Sequence, residues 1–226
     1  MSEAATRRVW GVGTSRTMRA HWMLCELDLP YETREIIPRT EGMNDPDFLK
    51  HSARGKVPIL EDGDVVIGES GAIVFHLADR YRDRARLAPE PATRERSFFD
   101  ELCLFSLTEL DAPLYVIRRH EGLPEVYGES AVAVAAAREY FLRGAEEIER
   151  RLEDGRPYLM GDDFSGADLL VATCTRWASF VGIDLPEPLA THGARCEGRP
   201  ACREAMQRNF PPAALEALGR PAVNAQ

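Results

Sequence analysis

The sequence lacks several features that would point to a function. Lysine is almost absent: of 28 basic residues, only Lys50 and Lys56 are lysines. Against them stand 37 acids, leaving a formal net charge of -9. That balance argues against a nucleic-acid binder, whose basic patch normally shows in the composition. No run approaches the length of apolar residues that a spanning helix needs, so no membrane segment is expected. The cysteines (Cys25, Cys103, Cys174, Cys196, Cys202) are odd in number and form no CxxC. The histidines (His21, His51, His76, His120, His192) form no HxxH or HExxH. Neither a disulfide framework nor a metal site is expected; reduced thiols and a cytoplasmic setting are. The start, MSEAATRRVW, has two arginines but no apolar run behind them. It reads as a short lead into a strand rather than a secretory signal.

What is present is ordinary globular material. At 226 residues and 44% hydrophobic, the chain can bury a core in one or two domains. The first eighty residues alternate strand-like and helix-like pieces. Residues 8–12 (RVWGV) favour a strand, and 16–28 carry Met18, Trp22 and Cys25 on one helical face. Alternation at Tyr31, Thr33, Glu35 and Ile37 suggests a second strand. Asp45-Pro46 opens a short helix over 45–52. Residues 57–67 read as a hairpin turning at Asp62-Gly63. Residues 69–81 form a helix with Ile73, Val74, Leu77, Ala78 and Tyr81 on one face. The order is βαβαββα, a small mixed sheet covered by helices. Residues 82–92 read as a proline-rich linker. Beyond it only helices are expected, over 94–121, 129–154, 165–182 and 198–208, with a loosely held tail after Pro211-Pro212. The expected division is 1–82 as an α/β domain and 93–226 as an all-α domain.

Two motifs carry more. Val57-Pro58-Ile59-Leu60-Glu61-Asp62-Gly63, followed by Ile67-Gly68-Glu69-Ser70-Gly71-Ala72-Ile73, resembles the thioredoxin-like domain of cytosolic glutathione transferases. Gly161-Asp162-Asp163-Phe164-Ser165-Gly166-Ala167-Asp168 resembles a motif of their helical domain. The likeness spans residues 8 to about 210. Read by itself, Ser165-x-x-Asp168 is a capping box that builds a helix. Pro58 is tolerable at a strand opening; the resemblance implies that its peptide bond is cis and that the Val57 backbone pairs with glutathione like an added strand. Glu69-Ser70 can cap a helix. The resemblance makes the same end an anion site, with Ser70 on the γ-glutamyl carboxylate and Glu69 facing the ammonium group.

The loop Gly13-Thr14-Ser15-Arg16-Thr17 joins the first strand to the first helix. Relatives place a tyrosine, serine or cysteine here. This chain has no tyrosine or cysteine between Gly11 and Leu24. Ser15 matches the serine of the theta- and zeta-like branches, which implies a hydroxyl that donates to the glutathione sulfur. Ser15 also reads as a plain helix cap, and Thr14 and Thr17 are rivals for the sulfur. Ser52-Ala53-Arg54-Gly55 replaces the Asn-Pro of many relatives, so the contact with the glycyl carboxylate falls to Lys56, with His51 a weaker candidate.

The resemblance implies a detoxifying transferase, with glutathione as substrate, a small electrophile as second substrate, and a homodimer. Two other readings compete: a zeta-like glutathione-dependent isomerase and a non-catalytic interaction module on the same fold. Phe105, Tyr115, Trp177 and Phe180 are apolar candidates for the electrophile side, although aromatics at helical spacing usually belong to a core.

Overall fold

The computed structural model describes residues 7–219; the expected lead before the first strand and the end of the tail lie outside the described residues. The chain divides into two compact units. One joins the residues up to Ala85 to those from Arg199 onward; the other is Arg86–Gly198.

The first unit runs β1 (Arg7–Trp10), α1 (Ser15–Glu26), β2 (Glu32–Arg34), a 3-10 turn (Glu41–Asn44), α2 (Pro46–His51), β3 (Ile59–Asp62), β4 (Val65–Gly68) and α3 (Ser70–Arg80). The sheet order is β2-β1-β3-β4. β1 and β2 are parallel, pairing Val9 with Thr33. β1 and β3 are antiparallel, pairing Val9 with Leu60. This is the expected βαβ unit followed by a hairpin, since parallel neighbours need a crossover helix and antiparallel ones only a turn. Asp62 pairs with Val65, so the turn residues are Gly63 and Asp64, one later than the sequence suggests. Gly63 has φ +65°, the conformation a tight hairpin needs at that place. Met18, Trp22 and Leu24 of α1 and Ile73, Val74 and Leu77 of α3 are buried. Each such side chain stabilises the fold by about 1.5–3 kcal/mol. Trp10, Ile36, Phe48 and Ile59 form a cluster at one end of the sheet, with Val57 packed against it. Asp62, fully buried, accepts from Tyr81 (2.6 Å) and His76 (2.9 Å) and pairs with Arg7 and Arg80, tying the hairpin to α3.

The second unit is helical: α4 (Arg94–Phe105), α5 (Ala112–His120), α6 (Pro124–Tyr127), α7 (Ala131–Leu152), α8 (Gly166–Phe180) and α9 (Glu187–Glu197). The expected single helix over 94–121 is interrupted by a π-helical turn at Ser106–Asp111. Pro113 has no N–H for the Glu109 carbonyl, and the Ser106 and Thr108 hydroxyls donate to the carbonyls of Leu102 and Leu104, so the wider turn re-seats the ladder. Ser165 and Asp168 form the expected capping box at the start of α8.

The last described elements are α10 (Pro200–Asn209) and α11 (Pro212–Ala217). They pack as part of the first unit. The segment after Pro211 is not loosely held: α11 buries Ala214 and Leu215. α10 packs along α1. Arg199 donates twice to Glu26, at 2.7 Å each, while the Trp22 indole donates to the same carboxylate. Bidentate pairing of this kind fixes orientation as well as distance.

Candidate active site

The loop between β1 and α1 is held at almost every polar atom. The N–H groups of Gly11, Val12 and Gly13 donate in turn to the carbonyls of Arg34 (2.9 Å), Ile36 (3.1 Å) and Asn209 (2.7 Å). His21 meets the Gly11 carbonyl through Nε2 (3.1 Å) and the Tyr31 hydroxyl through Nδ1 (3.0 Å). Burial pushes the His21 pKa down to about 4, so the neutral ring donates to Gly11 and accepts from Tyr31. Gly11 itself has φ +115°, and a Cβ there would meet the Val57 Cβ at 2.5 Å. Only glycine lets the loop come this close to the segment carrying Val57 and Pro58.

Thr14, not Ser15, is the N-cap of α1. The Thr17 N–H donates to Thr14 Oγ1 at 3.0 Å, and the Thr14 N–H donates to Thr17 Oγ1 at 3.0 Å. The hydroxyl protons of both threonines are also committed. Thr17 Oγ1 lies 2.6 Å from Asn209 Oδ1, its shortest acceptor, and Thr14 Oγ1 lies 3.0 Å from Thr17 Oγ1. Since a hydroxyl has one proton, the chain runs Thr14 to Thr17 to Asn209. Ser15 follows as the first helical residue, half-buried. Its hydroxyl has no hydrogen-bond partner among the described residues.

The Val57–Pro58 peptide bond is cis, as the resemblance implies. The Val57 N–H and C=O have no backbone partner among the described residues. The Lys56 backbone is pinned at both polar atoms by the Ser52 hydroxyl, at 2.8 and 2.9 Å. The Lys56 side chain is exposed. His51 faces elsewhere, with its ring 5.5 Å from that of Trp10 and its Nε2 4.0 Å from Glu61.

Ser70 opens α3 and is buried, while Glu69 occupies the cap position at φ +62° with no side-chain cap bond. The first N–H groups of α3 therefore lack the usual side-chain acceptor. Arg19 of α1, fully buried, donates from Nη1 to Ser70 Oγ at 3.1 Å. That leaves the Ser70 proton free to be donated onward. A helix N-terminus, a hydroxyl donor and a guanidinium thus converge, which suits a carboxylate. Glu69 is exposed and paired with Arg54. Exposed pairs contribute little, so this carboxylate is available to another cation. Arg19 and Asn209 were beyond reach of the sequence. Nothing in a residue pattern shows that Arg19 turns inward, and Asn209 lies 192 residues from Thr17.

Other chemistry is weakly supported. Burial raises the Cys25 thiol to about 11 and the Cys103 thiol well above its ordinary value, so both stay protonated. Among the described residues, Asp168, His192 and Cys196 are grouped closely enough to share a metal ion. Yet Asp168 already accepts from the Leu159 N–H (2.7 Å), the Ser165 N–H (2.9 Å), the Ser165 hydroxyl (2.7 Å) and His192 Nε2 (2.9 Å). His192 Nδ1 is buried without a partner among the described residues, whereas a metal-bound imidazole normally passes its other N–H to an acceptor. The donors fit a capping network better than a metal centre. Phe105 lines an open groove of about 520 Å³ within the helical unit, beside Glu109, Tyr140 and Arg143; Tyr115, Trp177 and Phe180 do not line it.

Comparison with known proteins gives one consistent answer. The sequence model described as "Glutathione S-transferase, N-terminal domain" matches residues 11–85. That described as "Glutathione S-transferase, C-terminal domain" matches residues 131–208. A glutathione S-transferase of Hypomyces subiculosus is 30% identical over 160 residues, covering 68% of this chain and 74% of that protein. The crystal structure of a glutathione transferase from Methylococcus capsulatus superposes with a TM-score of 0.76 at 27% identity, covering 95% of this chain and 99% of that one. A glutathione transferase family member from Pseudomonas fluorescens, with two glutathione molecules bound, shares the fold with a TM-score of 0.79 at 21% identity, covering 91% and 94%. With both halves matched in order on one chain, a relative 30% identical over 68% of it, and a cis Val57–Pro58 bond in the first unit, the chain belongs to the glutathione S-transferase family.

Proposed function

We propose that this protein binds glutathione and activates its thiol for attack on a small electrophile, with Ser15 as the donor to the sulfur, as in the serine-type theta- and zeta-like branches. The observation that carries the assignment is the proton count in the β1–α1 loop. Thr14 and Thr17 have given their protons away, and Ser15 has not. A hydroxyl donating at the start of α1 stabilises an anion by hydrogen bonding and by the helix end together. Val57 would pair with the cysteinyl backbone of glutathione, beside Pro58. Ser70, backed by Arg19, would take the γ-glutamyl carboxylate, Glu69 the ammonium group and Lys56 the glycyl carboxylate.

Calorimetry with glutathione alone tests the binding half. Wild type should bind without an electrophile. Ser70→Ala should weaken binding by about 1.5–3 kcal/mol, the range for a hydrogen bond to a charged group. No binding by wild type would leave the interaction-module reading in its place. A screen of electrophiles, read by thiol consumption, separates transfer from isomerisation, because an isomerase returns the thiol.

We also propose a homodimer in a cytoplasmic setting. β4 is an edge strand with Val66 exposed on it, and an uncovered edge invites a partner surface. Sedimentation at micromolar concentration should give twice the chain mass; a single species at the chain mass would refute it.

A further inference from the structure

We infer that Asn209 is a positioning residue for thiol activation, holding the β1–α1 turn so that the Ser15 hydroxyl is the one left to donate; this rests on the Ser15 reading above. Asn209 is fully buried on the last turn of α10. It touches the turn three times: its carbonyl accepts from the Gly13 N–H at 2.7 Å, its Oδ1 from the Thr17 hydroxyl at 2.6 Å, and its Nδ2 donates to the Thr14 carbonyl at 3.0 Å. The donor and the acceptor of one planar amide both have partners, which fixes the side chain's orientation. Oδ1 ends the proton chain that starts at Thr14. Without it, the Thr17 proton falls back on the Thr14 carbonyl, 2.9 Å away, where Nδ2 now donates. The Asn209 carbonyl still holds the Gly13 N–H, but the cap at Thr14 and the direction of the next residue, Ser15, then lose both side-chain contacts from α10. The far end of α10 is fixed independently by Arg199 on Glu26, so truncating Asn209 loosens the turn without releasing the helix.

Two measurements on the full-length protein test this. The first needs no ligand: amide hydrogen exchange in wild type and Asn209→Ala. Faster exchange confined to residues 13–17 is expected, and unchanged exchange there overturns the proposal. The second is the pH titration of thiolate absorbance with glutathione bound, in wild type, Asn209→Ala, Ser15→Ala and the double variant. Asn209→Ala should raise the thiol pKa by about half to one unit, the worth of one neutral hydrogen bond. In the Ser15→Ala background it should add nothing, because a positioning residue acts only through the group it positions. Thr17→Val, which keeps the side-chain shape and removes the hydroxyl, should shift the pKa the same way and guards against a poorly folded Asn209→Ala. Additive shifts, or a shift with Asn209→Ala but none with Ser15→Ala, overturn the proposal. A lowered melting temperature with an unmoved pKa makes Asn209 merely structural and overturns it too. If Ser15→Ala alone leaves the pKa unmoved, or wild type binds no glutathione, the Ser15 reading falls first, and the exchange data still report whether the turn is held.

Discussion

Replacing Ser15 with alanine should raise the pKa of the bound glutathione thiol by about one to two units and cut turnover near neutral pH roughly ten- to a hundredfold. The magnitude follows from losing one hydrogen bond to a charged group, about 1.5–3 kcal/mol. Well-ordered oxyanion donors are worth about 2.7–4 kcal/mol. A lower value is expected here because the end of α1 remains and a sulfur anion is diffuse. The sign fixes the shape of the pH profile. Bound thiolate forms above the thiol pKa, so raising that pKa moves the rising limb to higher pH. Activity should recover substantially once the pH exceeds the new value. Glutathione affinity at neutral pH should change little, because its carboxylates and ammonium are held elsewhere. Thr14→Val acts one step away: it removes the helix cap beside Ser15, should cost about 1 kcal/mol of stability, and should shift the titration the same way but by less than Ser15→Ala. Thiolate absorbance against pH in the two variants checks both. An unmoved curve with unmoved turnover for Ser15→Ala would end its catalytic role.

The other large effect concerns stability. Asp168→Ala should destabilise the protein by about 3–5 kcal/mol, the usual result of breaking a buried charged network from one side. The reason is local. Four donors point at this carboxylate: the N–H groups of Leu159 and Ser165, the Ser165 hydroxyl and His192 Nε2. Truncation leaves all four buried together, and each unsatisfied group is costly. Total stabilities run to only about 5–15 kcal/mol, so a marked drop in the denaturant midpoint is expected. The thiol titration of the protein that remains folded should match wild type. A small change in midpoint would mean that water or a shifted Ser165 replaces the carboxylate.

How much of this was legible depended on the range of the interactions. The hairpin, the capping box at Ser165 and Asp168, and the faces of α1 and α3 follow from residues close in sequence. The hairpin turn slipped by one position because Asp62 and Asp64 both suit a turn, and only the buried contacts of Asp62 with Tyr81 and His76 hold it in the strand. α9 gave almost no periodic signal: besides Leu189, its buried face is His192, Gly193 and Cys196, which do not read as an apolar stripe. The π turn needed Pro113 to be weighed against two hydroxyls that bond backwards. Of the site, the residue types at Ser15, Val57 and Ser70 stood out through family resemblance. Which hydroxyl of the β1–α1 loop is free did not, because that is decided by Asn209, nearly the whole chain away.

The clasp of α10 on α1 also bears on how the chain is made. α1 leaves the ribosome early, yet its partners Arg199 and Asn209 follow 173 and 192 residues after Glu26 and Thr17. Arg86–Gly198 is contiguous and has every residue of its own unit in hand before α10 emerges. Contacts this distant in sequence are slow to form, and domains generally fold as units during synthesis. The order of translation therefore inverts the order of completion. The helical unit, made second, closes first, while the sheet waits with the α10-facing side of α1 uncovered. For that interval Trp22, Thr17 and the Gly13 N–H lack their final surroundings, and the half-made protein presents to solvent a surface that α10 has yet to cover.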